Sequence, residues 1–359
     1  MRRLWVLAIV CLAPRLGAQV VRGRVTDRES GSAQGGVVVE LRTDQGDARV
    51  AASLSAPDGQ YALRAPGAGR YAVVTKRIGV RRTRTEPFDL GAGEAIVRDI
   101  QVDVMVAALP EIRVLGLATC DPAAEEGARV NALWDEARTA LDATQLSLRD
   151  KLYRASVTRY VRELDLRTHR VLTETKSQVS GVVSRPFAAI DGDSLSRAGY
   201  VQPRVGGGST FFGPDAEILL SDAFLRDHCF HEARPTRAQK GLVGLGFRPA
   251  AGRTVPDVVG ALWLDERTFE LRYVSFAYSR VPTGADSAFT GGEVHFTRLA
   301  GGAWMVSRWF LRLPVVARPS APVGTEVTQA PWVLVRPAFA LREEGGTVVA
   351  EPASVRPPR

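Results

Sequence analysis

Val20-Val21-Arg22-Gly23-Arg24-Val25-Thr26-Asp27 decides the reading of the N-terminal part: residues alternate between apolar and polar, the period of two of a strand with one face buried. Glu29-Ser30-Gly31-Ser32 then breaks the alternation as a loop. Outward from it, Gly36-Val37-Val38-Val39-Glu40-Leu41 and Val50-Ala51-Ala52-Ser53-Leu54-Ser55 predict two more strands, the latter ending at Pro57-Asp58-Gly59, whose glycine suits a turn position of positive φ. Gln60–Arg64 and Gly69–Lys76 flank the turn Pro66-Gly67-Ala68-Gly69, and Arg84–Leu90 and Ile96–Val104 follow. Seven short strands at this spacing predict a Greek-key β-sandwich over residues 19–117.

The combination Val21-Arg22-Gly23-Arg24-Val25-Thr26-Asp27, Gly36-Val37-Val38-Val39-Glu40-Leu41, Asp58-Gly59-Gln60-Tyr61-Ala62-Leu63 and Gly69-Arg70-Tyr71-Ala72-Val73 resembles the carboxypeptidase regulatory-like domain. The resemblance implies a transthyretin-like, carbohydrate-binding-like sandwich in which the glycines and Asp58 hold turns, Tyr61 and Tyr71 fill the core, and no residue is catalytic. Despite the family's name, His169, His228, His231 and His295 offer no H-x-x-E pair for a catalytic zinc. Leu109–Gly116 resembles the junction that leads into the plug of an outer-membrane receptor, but the remainder does not continue as one.

Met1-Arg2-Arg3 and the apolar run Leu4–Ala13, closed by Pro14 and Arg15, have the pattern of a secretory signal. Cleavage is expected after Ala18, giving a signal over residues 1–18; the run is too short for a span of about 20 residues. Cys11 follows the bulky Val10 rather than a small residue, which speaks against lipidation. The formal net charge of +8 falls by three when Arg2, Arg3 and Arg15 leave. Most arginines alternate along strand-like segments as on a solvated sheet face, without the stacking aromatics of a nucleic-acid groove, so no nucleic-acid partner is expected. The one basic cluster, Lys76-Arg77-Ile78-Gly79-Val80-Arg81-Arg82-Thr83-Arg84, is read first as an exposed hairpin, with contact to acidic lipid or polysaccharide as the alternative.

Two cysteines remain after the signal, Cys120 and Cys229. In an oxidising compartment they are expected to bond to each other, and a loop this long would destabilise the unfolded state by roughly 4–5 kcal/mol. The competing reading, a metal at His228-Cys229-Phe230-His231, lacks a second ligand cluster, and on a strand the two imidazoles would face opposite sides. No metal and no cofactor is predicted.

The second region, residues 118–345, opens with an expected helix: Asp121 as cap, Pro122 in the first turn, and Val130, Leu133, Trp134, Ala137 and Leu141 at helical spacing. The period then changes to two. Leu152–Leu164 with Arg170–Val179, Val258–Asp265 with Phe269–Tyr278, and Gly292–Leu299 with Ala303–Leu313 predict serial antiparallel hairpins, hence a mainly β protein whose second half is a curved antiparallel sheet with one packed helix. With that helix, and above all through Gly260-Ala261-Leu262-Trp263-Leu264-Asp265-Glu266-Arg267-Thr268-Phe269-Glu270-Leu271, the region resembles the lipoprotein-carrier (LolA/LolB-like) half-barrel. The resemblance implies an apolar cavity, for which Trp263, Phe276, Tyr278, Phe296, Trp304 and Trp309 are candidate lining residues, with solid core packing the competing reading. Gly206-Gly207-Gly208 reads as a loop, Ser221–Cys229 as a short capped helix or turn, and Asp191-Gly192-Asp193-Ser194 as a fragment of a calcium loop. Trp332–Val335 would add a last strand, and residues 346–359 are read as a flexible proline-rich tail.

The expected protein is thus a non-enzymatic binding or interaction protein of the periplasm or outer-membrane periphery of a Gram-negative-type bacterium. Its partner would be a glycan, a lipid or another envelope protein. A purely structural envelope component is the alternative; a hydrolase would have to draw on Asp191, Asp193, His228 and His231.

Overall fold

The computed structural model of the chain describes residues 19–78, 80–104, 124–165, 168–181, 190–204, 209–280, 290–317 and 338–352. Strands β1 (Val20–Asp27), β2 (Val38–Thr43), β3 (Arg49–Leu54), β4 (Gln60–Arg64), β5 (Gly69–Arg77), β6 (Val80–Arg84), β7 (Phe88–Leu90), β8 (Ala95–Val97) and β9 (Ile100–Val102) build the first unit. They form one sheet of order β4-β1-β8, with β9 also on β1, and a second of order β3-β2-β5-β6, with β7 on β5. Val21, Val25, Val39, Leu41, Leu63 and Val73 fill the core between them. Tyr61 and Tyr71 are buried there too, and their hydroxyls donate to the carbonyls of Arg98 at 2.6 Å and Gly67 at 2.9 Å.

The expected seven strands are nine. The basic cluster supplies β6. Ile96–Val104 divides where Arg98 and Asp99 turn in toward β1: the Arg98 amide donates to the Arg22 carbonyl at 2.8 Å and Asp99 accepts from the Arg24 amide at 2.8 Å. Gly23 makes the approach feasible, because a Cβ there would sit 1.9 Å from the Arg98 carbonyl oxygen.

β2 is buried on both faces. Val39 and Leu41 point into the sandwich, whereas Val38 belongs to the other, larger core, where it meets α1 (Ala124–Arg149) and the second unit. The cap expected at Asp121 lies outside the described residues. Val130, Leu133, Trp134, Ala137 and Leu141 are all buried, as their spacing predicts. Polar residues join them because Thr144 and Ser147 return their hydroxyls to the carbonyls of Ala140 and Ala143, at 2.8 and 2.7 Å.

After α1 come β10 (Tyr153–Leu164), β11 (Val171–Gly181), α2 (Gly192–Ala198), β12 (Val201–Pro203), β13 (Ser209–Phe211), α3 (Ala216–Leu220) and α4 (Asp222–Asp227). Then follow β14 (His228–Ala233), β15 (Leu242–Pro249), β16 (Asp257–Asp265), β17 (Leu271–Ser279), β18 (Gly291–Arg298), β19 (Trp304–Ala317) and β20 (Ala338–Pro352). Nine of these strands form one open sheet of order β11-β10-β20-β19-β18-β17-β16-β15-β14. The fold is mainly β, its strands antiparallel except where β8 and β9 run parallel to β1, and among the described residues no sheet closes. The three predicted hairpins form, and β14–β15 adds a fourth in which Gly244 and Gly246 seat the rings of Trp263 and His231: a Cβ would lie 2.6 and 2.5 Å from them.

Two expectations change. The single helix is joined by the short α2, α3 and α4, capped by Asp191, Asp215 and Ser221, so the supposed calcium-loop fragment is a helix cap. Residues 346–352 are not a loose tail but the end of β20, an inner strand of the sheet between β10 and β19. Gly345 and Gly346 allow this insertion, since the rings of Tyr160 and Trp309 lie over them where side chains would otherwise stand. A ladder of charges crosses the same strands in register: Glu174 to Arg162 at 2.6 Å, Arg162 to Glu343 at 3.1 Å, and Glu343 to Arg312 at 2.8 Å. Trp332–Val335 and the Gly206–Gly208 loop lie outside the described residues.

Candidate functional site

The two units meet through side chains that a sandwich alone would leave in water. Glu40 is fully buried on the α1 side of β2 and receives Lys76 at 3.0 Å, Arg42 at 2.8 Å and Arg49 at 3.4 Å. Burial would push its carboxyl up; the cations, Lys76 foremost, overcome this and hold it below the ordinary value. Arg49 continues to Asp142 of α1 at 3.0 Å, and Arg149 donates to the Ala52 carbonyl on β3 at 2.7 Å. Gly36 and Gly302, both at positive φ, bring the two backbones together: a Cβ on Gly36 would lie 2.5 Å from the Gly302 carbonyl oxygen.

Beside this contact the β5–β6 hairpin stands against α1 and the β16–β17 turn. Two cavities open there. One, of about 220 Å³, is lined by Arg77, Thr139, Arg267, Glu270, Arg298 and Trp304 among others. Its neighbour, of about 210 Å³, shares Arg77, Val80 and Thr139 and adds Lys76, Arg82 and Arg138 with Asp135 and Glu136. Arg298 pairs with Glu270 at 3.0 Å, while the Arg77 guanidinium donates to the amide oxygen of Gln34. Burial, then the nearby Arg298, lowers the Arg77 pKa, with Glu270 opposing. Burial likewise lowers Lys76 against the pull of Glu40, and raises the Asp135 carboxyl despite Lys76, Arg82 and Arg138. Cations thus predominate around a pair of partly desolvated cavities, an arrangement that favours an anionic group.

The basic cluster was the sequence signal for this place, but its reading as a plain exposed hairpin holds only for the arginines of β6. Arg81 and Arg82 are exposed, whereas Lys76, Arg77 and Ile78 turn inward, Ile78 against the main core. The apolar residue amid the cations was the clue to one packed side. Arg267 and Arg298 come from distant hairpins and carry no local signal.

The candidate lining residues are all buried. Phe276, Tyr278, Phe296, Trp304 and Trp309 belong to the core with α1, and Trp304 borders the 220 Å³ cavity. Trp263 faces the other side of the sheet from Leu262 and Leu264, where its indole donates to Ser275 at 2.9 Å beside Tyr273. Cys229 stands half-buried on β14; Cys120 lies outside the described residues.

Of the residues a hydrolase would need, Asp193 is exposed in the first turn of α2 while Asp191, His228 and His231 stand in separate settings. Asp191 accepts from the amide and hydroxyl of Ser194, at 2.9 and 2.8 Å. His228 is buried, stacked on Phe224, with its ring nitrogens 3.0 Å from the Phe224 carbonyl and 3.1 Å from Asp257. Asp257 also binds Arg253, which binds Asp227 at 2.8 Å. This network clasps α4 to β16. His231 lies over Gly246. Among the described residues, no three His, Cys, Asp or Glu side chains gather to hold a metal.

Tyr61 and Tyr71 are buried as the motif leads one to expect. Residues 20–103 match the carboxypeptidase regulatory-like domain family. The regulatory-like domain therefore accounts for the sandwich and for none of the larger sheet; the likeness to the lipoprotein-carrier half-barrel has no such match. No curated protein matches the chain. Among solved structures, a streptococcal ancillary pilin shares 11% identity over 56% of this chain and 60% of its own, with a TM-score of 0.21. The Bacillus anthracis TIE protein shares 9% identity over 74% of this chain and 46% of its own, with a TM-score of 0.20. Likeness at that level falls short of a shared fold.

Proposed function

We propose that this chain is an exported, non-enzymatic interaction protein of the bacterial cell envelope, binding an anionic group in the basic cavities between its regulatory-like sandwich and its large sheet. In this reading the signal is removed after Ala18 and Cys120 is bonded to Cys229. The observation that carries it is the convergence of Arg77, Arg267 and Arg298 on one cavity of about 220 Å³, with Lys76, Arg82 and Arg138 around the adjoining one. A non-catalytic, carbohydrate-binding-like sandwich as one wall supports an acidic glycan as ligand; the phosphate of a lipid headgroup has the same chemistry.

Calorimetric titration of the full chain with a sulfated oligosaccharide, a neutral oligosaccharide of equal length and phosphatidylglycerol vesicles tests the reading. Binding of the sulfated sugar or the vesicles, weakened by salt and at least tenfold by R77Q/R298Q, is expected. Failure of both anionic probes, or equal binding of the neutral sugar, would overturn it.

A further inference from the structure

One edge of the large sheet is β11, and every residue from Val171 to Ser180 along it is exposed. Among the described residues nothing pairs with its outer side. A long edge with free amides and carbonyls is normally shortened, bent by a bulge, covered, interrupted by proline or guarded by charges, and the two charges of β11, Glu174 and Lys176, are of opposite sign. β11 has eleven residues, no proline and regular pairing with β10 except at the turn end, between Glu163 and Leu164. It also exposes Val171, Leu172 and Val179 at 50, 63 and 57%.

We propose that β11 is the two-fold seam of a homodimer, in which it pairs antiparallel with β11 of a second copy so that the two large sheets run on as one. The argument is self-complementarity. A two-fold axis normal to the sheet keeps each side chain on its own face, so only registers centred on a residue qualify. Centred on Thr175, the strand sets Val171 opposite Val179, Glu174 opposite Lys176, Thr173 opposite Ser177, and Thr175 opposite itself. Every pair is apolar with apolar, acid with base or hydroxyl with hydroxyl, apart from Leu172 with Gln178. Moving the centre by one residue either way puts Glu174 against Glu174 or Lys176 against Lys176, like charges that penalise those alternatives. Within one chain Glu174 already attracts Lys176 at 2.7 Å and Arg162 at 2.6 Å, so the acid stands between two bases before the second copy arrives. A seam confined to one strand pair is small for a specific interface. The dimer therefore forms with rising protein concentration.

Sedimentation equilibrium of the full chain is expected to show a monomer–dimer equilibrium. K176E, which opposes acid to acid across the seam, should weaken the dimer at least tenfold, and the swap E174K/K176E should restore it. Directly opposed residues of an antiparallel pair have Cα atoms about 4.5–5.5 Å apart, within disulfide reach. T175C under mild oxidation should therefore give a covalent dimer whose cross-linked peptide maps Cys to Cys at this position. A wild-type chain that stays monomeric while T175C fails to cross-link would overturn the proposal, and so would a dimer indifferent to K176E.

Discussion

The regulatory-like sandwich and the nine-stranded sheet solve the same problem, burying an apolar sheet face, by different routes. In the sandwich no strand pairing reaches further than from β1 to β8 and β9, about 75 residues on, and a single family pattern covers it. In the large sheet the decisive partner is remote: β10 pairs along its whole length with β20. Pattern specifies a strand, while its neighbour is chosen by the entire chain. The difference predicts unequal responses to damage.

The largest effect is expected from deleting residues 338–352, which removes the strand joining β10–β11 to the meander. The second unit should lose its cooperative unfolding transition while Tyr61 and Tyr71 stay protected in the sandwich, as followed by hydrogen exchange with fragment analysis. W134A, which empties the fully packed centre of α1, should cost about 3–5 kcal/mol in urea unfolding. Because α1 also packs on Val38 and Leu54 of the sandwich, its effect should reach both units, whereas L63A should cost about 2–5 kcal/mol within the sandwich first.

The joint between the units should respond to pH. Glu40 has a folded pKa below its ordinary 4.5, so its contribution is full above that value and is lost as pH falls through the folded pKa. The stability difference between wild type and E40Q should then shrink as the solution is acidified from neutrality, and a difference that grows would contradict the assignment. R49A should have the smallest effect, on the order of 1 kcal/mol or less, because Arg49 is 38% exposed and its pair with Asp142 is partly screened.

These contrasts follow what could be read in advance. The alternation at Val21–Asp27, the Asp58-Gly59 turn and the three long hairpins were legible because turn chemistry and side-chain period are local. β20 was not. Its glycines and acids, Glu343-Glu344-Gly345-Gly346, look like a loop, and become a strand only because Arg162 and Arg312 neutralise Glu343 and aromatic rings cover the glycines. The basic cavity was half legible: the cluster at Lys76–Arg84 was visible, but not that Arg267 and Arg298 would be folded against it.

The position of β20 also bears on how the molecule is made. Until residues 338–352 have left the ribosome, β10 can pair only with β11, and its other edge waits beside an equally unpaired β19. The sandwich can assemble as it emerges, whereas the large sheet completes only once β20, which lies inside it between β10 and β19, has followed all its other strands. Nascent copies crowded together would meet through those open edges, an association that a chaperone holding the chains apart would prevent.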